Sequence, residues 1–215
     1  MKARRALLAS LLMLAVPMAQ AAQCPLQLGH GWPPATENHG DAVETLLSAG
    51  ASPALILTWL PVSGEESALM LLRPSNDGDW ILRYTRADER VDGRENSGGG
   101  FTRVLRTSQT PELLEVPIPS ALATRVMDSW QRTLQAGVPE DRVAAFHADD
   151  LLSFVIDGQR ISGLAPDCGA GELMMEQAED LIDAANEGDP DDLPERWQDL
   201  QRSLDELDGE LAAAG

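Results

Sequence analysis

Residues 151–163 read Leu-Leu-Ser-Phe-Val-Ile-Asp-Gly-Gln-Arg-Ile-Ser-Gly and carry the clearest strand and turn signals in the chain. The run Leu151 to Ile156 is short and apolar and contains β-branched and aromatic residues, as strands do. Asp157-Gly158 is a dipeptide that supplies the positive φ angles of a two-residue hairpin turn. The stretch therefore predicts a β-hairpin whose return strand is Gln159 to Ser162.

The residues after this hairpin predict a loop and then a helix. Glycines and Pro166 interrupt the strand pattern, and Cys168 lies among them. From Glu172 to Asn186 the apolar residues recur at helical spacing. We expect this helix to close over a sheet.

The residues before the hairpin predict further antiparallel strands. Three apolar or alternating runs, Ala54–Val62, Ser67–Leu72 and Trp80–Thr85, are separated by turn-forming residues. This order is typical of a β-meander. The polar segment Asp88–Gly100 predicts a loop with a flexible glycine tip, and Phe101–Leu105 predicts that the sheet resumes.

Two helices are predicted within this part of the chain. Asp41 is placed to cap a short helix that runs through Leu47. A longer helix follows Ser120, with an apolar stripe at four-residue spacing in which Trp130 is expected to face the core. The sequence thus predicts an α+β fold, an antiparallel sheet with helices packed on one face.

The N-terminus has the order of a secretory signal peptide. Three cations in the first five residues precede an apolar run from Ala6 to Val16, and Ala19-Gln20-Ala21 is a small-residue cleavage site. The run is too short for a membrane span of about 20 residues. We expect export to the periplasm with cleavage near Ala21, and no stable membrane association afterwards.

In an exported protein, the two cysteines of the chain are expected to have a structural role. Cys24 and Cys168 are the only cysteines in the chain, and oxidising compartments favour disulfides. No Cys-x-x-Cys pair suggests redox chemistry. The sequence predicts a Cys24–Cys168 disulfide that fixes the N-terminus beside the hairpin.

Charge limits the classes of partner. The net charge of the full chain is −19, and it becomes −22 when the three signal-peptide cations are removed. Nucleic acid is excluded as a partner because binding it requires basic side chains. A cationic protein, a divalent metal or bulk solvent suits the surface better.

The last segment is the most acidic. We divide the exported chain into an α+β domain, residues 22–188, and an amphipathic helix, residues 189–215. The helix has a narrow apolar seam of residues spaced three and four apart: Trp197, Leu200, Leu204 and Leu207. The seam either packs on its own domain, docks in a partner's groove or pairs with a second copy.

Catalytic chemistry is weakly indicated. His147 lies close in sequence to Asp149 and Asp150, and a hydrolase would need a remote nucleophile such as Ser153 or Ser162. No nucleophile motif such as Gly-x-Ser-x-Gly occurs. We therefore predict a non-enzymatic protein that needs no cofactor, and keep the hydrolase and an oligomeric structural protein as alternatives.

No metal site is predicted either. His30 and His39 could bind a metal with Glu37 or Asp41, but their spacing matches no known ligand signature. The Asp-rich string from Asp183 to Asp192 lacks the spacing of a calcium-binding loop. Gly98-Gly99-Gly100 lies near six arginines, but lacks the strand, helix and lysine of a phosphate-binding loop.

From Pro117 to Asn186 the chain resembles a group of small exported proteins of Gram-negative bacteria with no assigned activity. The likeness lies in the Trp130 helix, the strand from Leu152 to Gly158, and the Gly163 and Pro166 breaks before the closing helix. Some proteins of this kind are immunity or inhibitor proteins that protect the periplasm from secreted toxins. The resemblance implies a periplasmic binding or inhibitor protein, and it transfers no functional residue.

Overall fold

The computed structural model describes residues 24–74, 78–96 and 98–214. The predicted signal peptide, residues 1–21, lies outside them. The strands are β1 (Leu28–His30), β2 (Leu55–Leu60), β3 (Ser67–Leu72), β4 (Trp80–Arg86), β5 (Asp92–Asn96), β6 (Phe101–Leu105), β7 (Glu112–Ile118), β8 (Leu151–Ile156) and β9 (Gln159–Gly163). The helices are α1 (Glu37–Ser48), α2 (Ser120–Gly137), α3 (Gly169–Ala185) and α4 (Leu193–Ala214), with a 3-10 turn (Pro190–Asp192) before α4.

Seven strands form one antiparallel sheet in the order β1-β9-β8-β2-β3-β4-β7. The predicted hairpin is confirmed, since β8 pairs with β9 and the turn residues Asp157 and Gly158 have φ angles of 47° and 80°. These left-handed values are those of a two-residue turn that matches the strand twist. The predicted meander is confirmed by the β2–β3 and β3–β4 pairs. The α+β fold class is therefore confirmed.

Helices α2, α3 and α4 cover one face of the sheet and enclose the larger core. Trp130 of α2 is fully buried and meets Phe154 of β8 edge to face, with ring centroids 6.2 Å apart. The indole N–H of Trp130 donates to Oε1 of Gln177 on α3, and the Gln177 amide donates to the hydroxyl of Ser203 on α4. This chain of buried hydrogen bonds fixes the three helices relative to one another.

The C-terminal helix is part of this core. The four seam residues are buried, with exposures from 0 to 8%: Trp197, Leu200, Leu204 and Leu207. Arg125 and Arg132 of α2 also bind Asp208 on α4. The seam therefore packs on its own domain, which corrects the alternatives that offered it to a partner or to a second copy.

Helix α1 departs from the prediction in position and in length. It begins at Glu37 rather than at Asp41, and it covers the opposite face of the sheet with a second, smaller core. Gly40 allows this because a Cβ there would lie 2.3 Å from the Trp32 ring. The expectation of helices on one face holds for α2, α3 and α4 only.

A polar network joins α1 to the sheet. The Arg160 guanidinium of β9 binds both carboxylate oxygens of Glu44, at 2.5 and 2.7 Å, and lies 4.1 Å from the centroid of the Trp32 ring. A bidentate, stacked arginine of this kind fixes orientation as well as charge. The network positions α1 across β2, β8 and β9.

The predicted disulfide is confirmed, and the Cα atoms of Cys24 and Cys168 lie 6.0 Å apart. It places the N-terminal segment against the ends of α2 and α3. Leu26 fills the space there, because a Cβ at Gly137 or Gly171 would come within 2.7 Å of its side chain. Among the described residues, no helix is both long and apolar enough to span a membrane.

Part of the predicted polar loop is a strand. Residues Asp92–Asn96 form β5, which pairs with β6 in a separate two-stranded sheet. The prediction missed it because β5 is almost wholly polar, so hydrophobic alternation does not mark it. The β5–β6 hairpin stands beside the N-terminal end of α1.

Candidate functional site

An open cleft of about 590 Å³ lies on the α1 side of the sheet. It is bounded by the start of α1, the end of β2, the β5–β6 hairpin and the segment before β8. Its lining combines three arginines, two histidines and two exposed phenylalanines: Arg90, Arg94, Arg103, His39, His147, Phe101 and Phe146. Asp92 and Asp149 are the carboxylates in the lining. A volume of this size is typical of small-molecule sites.

The buried carboxylate of Glu66 fixes the backbone segment beside the cleft from which the β5–β6 hairpin begins. It is fully buried and accepts hydrogen bonds from the backbone N–H groups of Val91 and Asp92, at 2.7 and 3.2 Å. Nε2 of His39 lies 2.9 Å from the same carboxylate. Burial alone would raise the pKa of Glu66, but these hydrogen bonds outweigh it and lower the pKa. Glu66 is therefore ionised at neutral pH, and His39 is the donor.

In the described part of the chain, two of the three arginines in the cleft lack the carboxylate partner that most of the other arginines have. All thirteen arginines beyond residue 21 are described, and ten of them form ion pairs with carboxylates. Within the described residues, Arg90, Arg94 and Arg142 lack a carboxylate partner, and the first two line the cleft. Arg90 donates to the carbonyl oxygens of Val62 and Asp92 instead. Its charge is thus positioned without being neutralised.

The β5–β6 register places like charges opposite each other. Arg94 pairs directly with Arg103, and Asn96 with Phe101. Arg103 also binds Asp92, whereas Arg94 has no hydrogen bond or ion pair within the described part of the chain. Like charges directly opposite in an antiparallel pair destabilise it. The hairpin therefore presents positive charge toward the cleft in a protein that is acidic overall.

Two of the three phenylalanines in the chain lie on the rim of this cleft. Phe101 is 77% exposed and Phe146 is 65% exposed. Val62, which is also exposed, is part of the same lining. Large apolar side chains grouped at a concave site commonly mark a binding surface.

Among the described residues, no hydrogen bond joins the members of the predicted hydrolase constellation. His147 lines the cleft, but it has no hydrogen bond to a serine among the described residues. Ser153 is bound to Arg160, and Ser162 donates to the carbonyl of Gly31. The Asp150 carboxylate accepts from the backbone N–H of Val62 at 2.6 Å.

The histidines do not form metal sites in the part of the chain that the structure describes. His39 pairs with Glu66, not with Glu37 or Asp41, and Asp41 accepts from the indole N–H of Trp32. Among the described residues, no group of three or more His, Cys, Asp or Glu side chains is arranged to hold a metal ion. This includes the Asp-rich string that begins at Asp183.

A second, acidic groove lies between α3 and α4 on the other side of the molecule. Six carboxylates line it: Glu176, Glu179, Asp180, Asp183, Asp199 and Glu206. Arg202 is the one cation in its lining, and it is bound to Asp199. Partial burial raises the pKa of Asp180, and the charges of Asp183 and Asp199 raise it further. The groove therefore holds more negative charge than its one arginine neutralises.

On the edge of α4 that faces α2, a carboxylate is paired with arginines. Partial burial would raise the pKa of Asp208, but hydrogen bonds from Arg125, Arg132 and Ser129 lower it. The negative charge of α4 is thus neutralised where the helix meets α2. Where the helix faces α3, Asp199 is paired with Arg202, but Glu206 has no ion-pair partner among the described residues.

Sequence reasoning missed the cleft because its parts come from distant positions. Glu66 is 27 residues from His39 in the sequence and lies in the connection between β2 and β3. The concentration of arginines from Arg83 to Arg106 was the available signal, but nearby acids concealed which of them lack partners. Comparison of the chain with protein-family models, curated proteins and solved structures finds no match in any of the three.

Proposed function

We propose that the protein is an exported, non-enzymatic binding protein of the inhibitor or immunity kind that docks a cationic protein on the α3–α4 groove. The observation that carries this proposal is the set of six carboxylates around Asp180 with one paired arginine among them. Crowded like charges that remain unneutralised are relieved when a positive surface covers them. The Cys24–Cys168 disulfide supports export, since such bonds persist in oxidising compartments.

Two variants with the same change in net charge test the proposal. One neutralises the groove with E176Q, D180N and E206Q, and the other neutralises exposed acids elsewhere with E65Q, E140Q and D141N. Each variant and the wild type is immobilised and exposed to periplasmic extract and to a purified cationic lysozyme-like enzyme. Binding is measured at about 0.1 M and about 1 M salt, where the Debye length falls from about 10 Å to about 3 Å.

We expect the wild type and the second variant to retain a basic protein at low salt and to release it at high salt. The groove variant is expected to lose this retention. Equal losses in both variants would show that net charge alone is responsible, and retention by the groove variant would contradict the proposed surface.

A further inference from the structure

We propose that the cleft between α1 and the β5–β6 hairpin binds a small organic anion that has an apolar, aromatic-sized body. The cleft lies on the opposite side of the sheet from the α3–α4 groove. This inference therefore does not rest on the proposed function. It assigns a ligand class to a site made of Arg90, Arg94, Arg103, Phe101 and Phe146.

The first argument is the charge of the arginines. Arg94 and Arg103 are directly opposed across β5 and β6, and Arg90 and Arg94 lack a carboxylate partner among the described residues. An anion placed between the guanidinium groups would relieve their repulsion and accept charge-assisted hydrogen bonds. At physiological salt the Debye length is about 8 Å, so the acids of α3 and α4 on the other face are largely screened at this cleft.

The second argument is that one of the cationic groups, Arg90, and the backbone at the start of the hairpin are held in place before a ligand arrives. The Glu66 carboxylate fixes the backbone at Val91 and Asp92, where the hairpin begins. Arg90 spans from the Val62 carbonyl to the Asp92 carbonyl. Groups that are already ordered lose less conformational entropy on binding, which favours affinity.

The third argument is the apolar rim. The exposed rings of Phe101 and Phe146 lie at the same cleft as the arginines. A ligand with a ring or hydrocarbon body would cover them, whereas an inorganic ion would not. The site therefore favours an amphipathic anion over free phosphate or sulfate.

Of the two carboxylates in the lining, Asp92 is paired with Arg103, and the unpaired one opposes the ligand. Asp149 is exposed and has no ion-pair partner within the described residues. Its charge repels an anion, so its removal should strengthen binding. This gives the proposal a prediction of the opposite sign to that for the arginines.

The test uses two fluorescent probes that differ in one group. The anion 8-anilino-1-naphthalenesulfonate carries a sulfonate, and its neutral analogue N-phenyl-1-naphthylamine does not. Both are titrated into the wild type and into R94Q, F101A, F146A and D149N, with R86Q as the matched control. Arg86 is an exposed strand arginine that pairs with Glu112 outside the cleft. Near-ultraviolet circular dichroism confirms that each variant is folded.

We expect saturable, one-site binding of the anion and at least tenfold weaker binding of the neutral analogue. R94Q should weaken anion binding by about fivefold to tenfold, and each phenylalanine variant by about threefold. D149N should strengthen it by about twofold, and R86Q should change nothing. R94Q should also leave the thermal midpoint unchanged or raised, because it removes a like-charge pair.

Several results would overturn the proposal. They are no saturable binding by the folded wild type, equal affinity for the two probes, or an R94Q affinity equal to that of the wild type. A loss in R86Q as large as that in R94Q would show general surface adsorption. If R94Q does not fold, F146A and D149N decide the question, and unchanged affinity in both would contradict the site.

Discussion

The two faces of the sheet are built in different ways. The face covered by α2, α3 and α4 has a large apolar core that includes the seam of α4, and its charges lie outside that core. The face covered by α1 has a smaller core in which polar groups are buried, Glu66 and His39 among them. The first face gains its stability from apolar burial and leaves acids free at the surface. The second adds the contacts of a buried carboxylate to its apolar core, and it leaves two arginines of the cleft without carboxylate partners among the described residues.

This difference determines how strongly a substitution on each face affects folding. A buried carboxylate with three donors fixes a loop accurately, but the loss of one partner leaves an uncompensated charge. An apolar interface tolerates changes at its surface, so the acids of the α3–α4 groove can vary with little effect on folding. Four sets of variants test this difference, in order of decreasing expected effect.

Removal of the disulfide is expected to have the largest effect. The double variant C24S and C168S frees a loop of 144 residues and should lower the free energy of unfolding by about 3–5 kcal/mol. Urea unfolding of the variant and the oxidised wild type measures this difference. Equal free energies of unfolding would show that the noncovalent contacts of the N-terminal segment, including the β1–β9 pairing, hold it without the disulfide.

The α4 seam should behave as core. Leu204 is fully buried, so L204A should lower the free energy of unfolding by about 3 kcal/mol. The exposed D205N on the same helix is the control and should cost less than about 1 kcal/mol. A loss below about 1 kcal/mol in L204A would mean that α4 does not pack as described.

The Glu66 contact on the α1 face should depend on pH. E66Q removes the buried charge that accepts from His39, Val91 and Asp92, and should cost about 3 kcal/mol at pH 7. Because the folded state lowers the pKa of Glu66, its contribution is present above the ordinary glutamate pKa of about 4.3 and is lost as the pH falls through the folded value.

The neighbouring E65Q is the matched control, since Glu65 is exposed. The difference in the free energy of unfolding between E66Q and the wild type should become smaller as the pH falls below the ordinary glutamate pKa of about 4.3, while E65Q follows the wild type throughout. A constant difference between E66Q and the wild type at every pH would contradict the ionised state of Glu66.

The smallest effect is expected in the acidic groove, and its sign is reversed. The pKa of Asp180 is raised in the folded state, so ionisation opposes folding as the pH rises above the ordinary aspartate pKa of about 3.9. D180N should therefore raise the free energy of unfolding at pH 7 by less than about 0.5 kcal/mol. D208N should lower it, because Asp208 is bound by Arg125 and Arg132. If D180N and D208N changed the free energy of unfolding in the same direction, the proposed difference between the two edges of α4 would be wrong.

Local patterns predicted the parts of the fold that local chemistry determines. The Asp157-Gly158 turn, the meander strands and the Trp130 stripe follow from backbone preference and hydrophobic period, and the structure contains all of them. Cys24 and Cys168 left only one pairing. Helix α1 was placed too late because His39 and Gly40 are buried for reasons that no hydrophobic pattern shows, namely the contacts with Glu66 and Trp32.

The candidate site was less accessible to sequence reasoning because it depends on register and on distant pairs. Nothing in the local sequence shows that Arg94 stands opposite Arg103, or that Glu44 meets Arg160 across 116 residues. Which arginines remain without a carboxylate is a property of the folded chain alone. The same holds for the acids of α4, which differ only in the helix that each faces.

The central claim is that the two faces bind ligands of opposite charge at separate sites, and hydrogen exchange measured by mass spectrometry tests it most directly. Exchange is recorded for the free protein, with 8-anilino-1-naphthalenesulfonate, and with an arginine-rich peptide. We expect the anion to protect residues 90–105 and the peptide to protect residues 176–206, each without affecting the other segment. Protection of the same segment by both ligands, or of neither segment, would contradict the account.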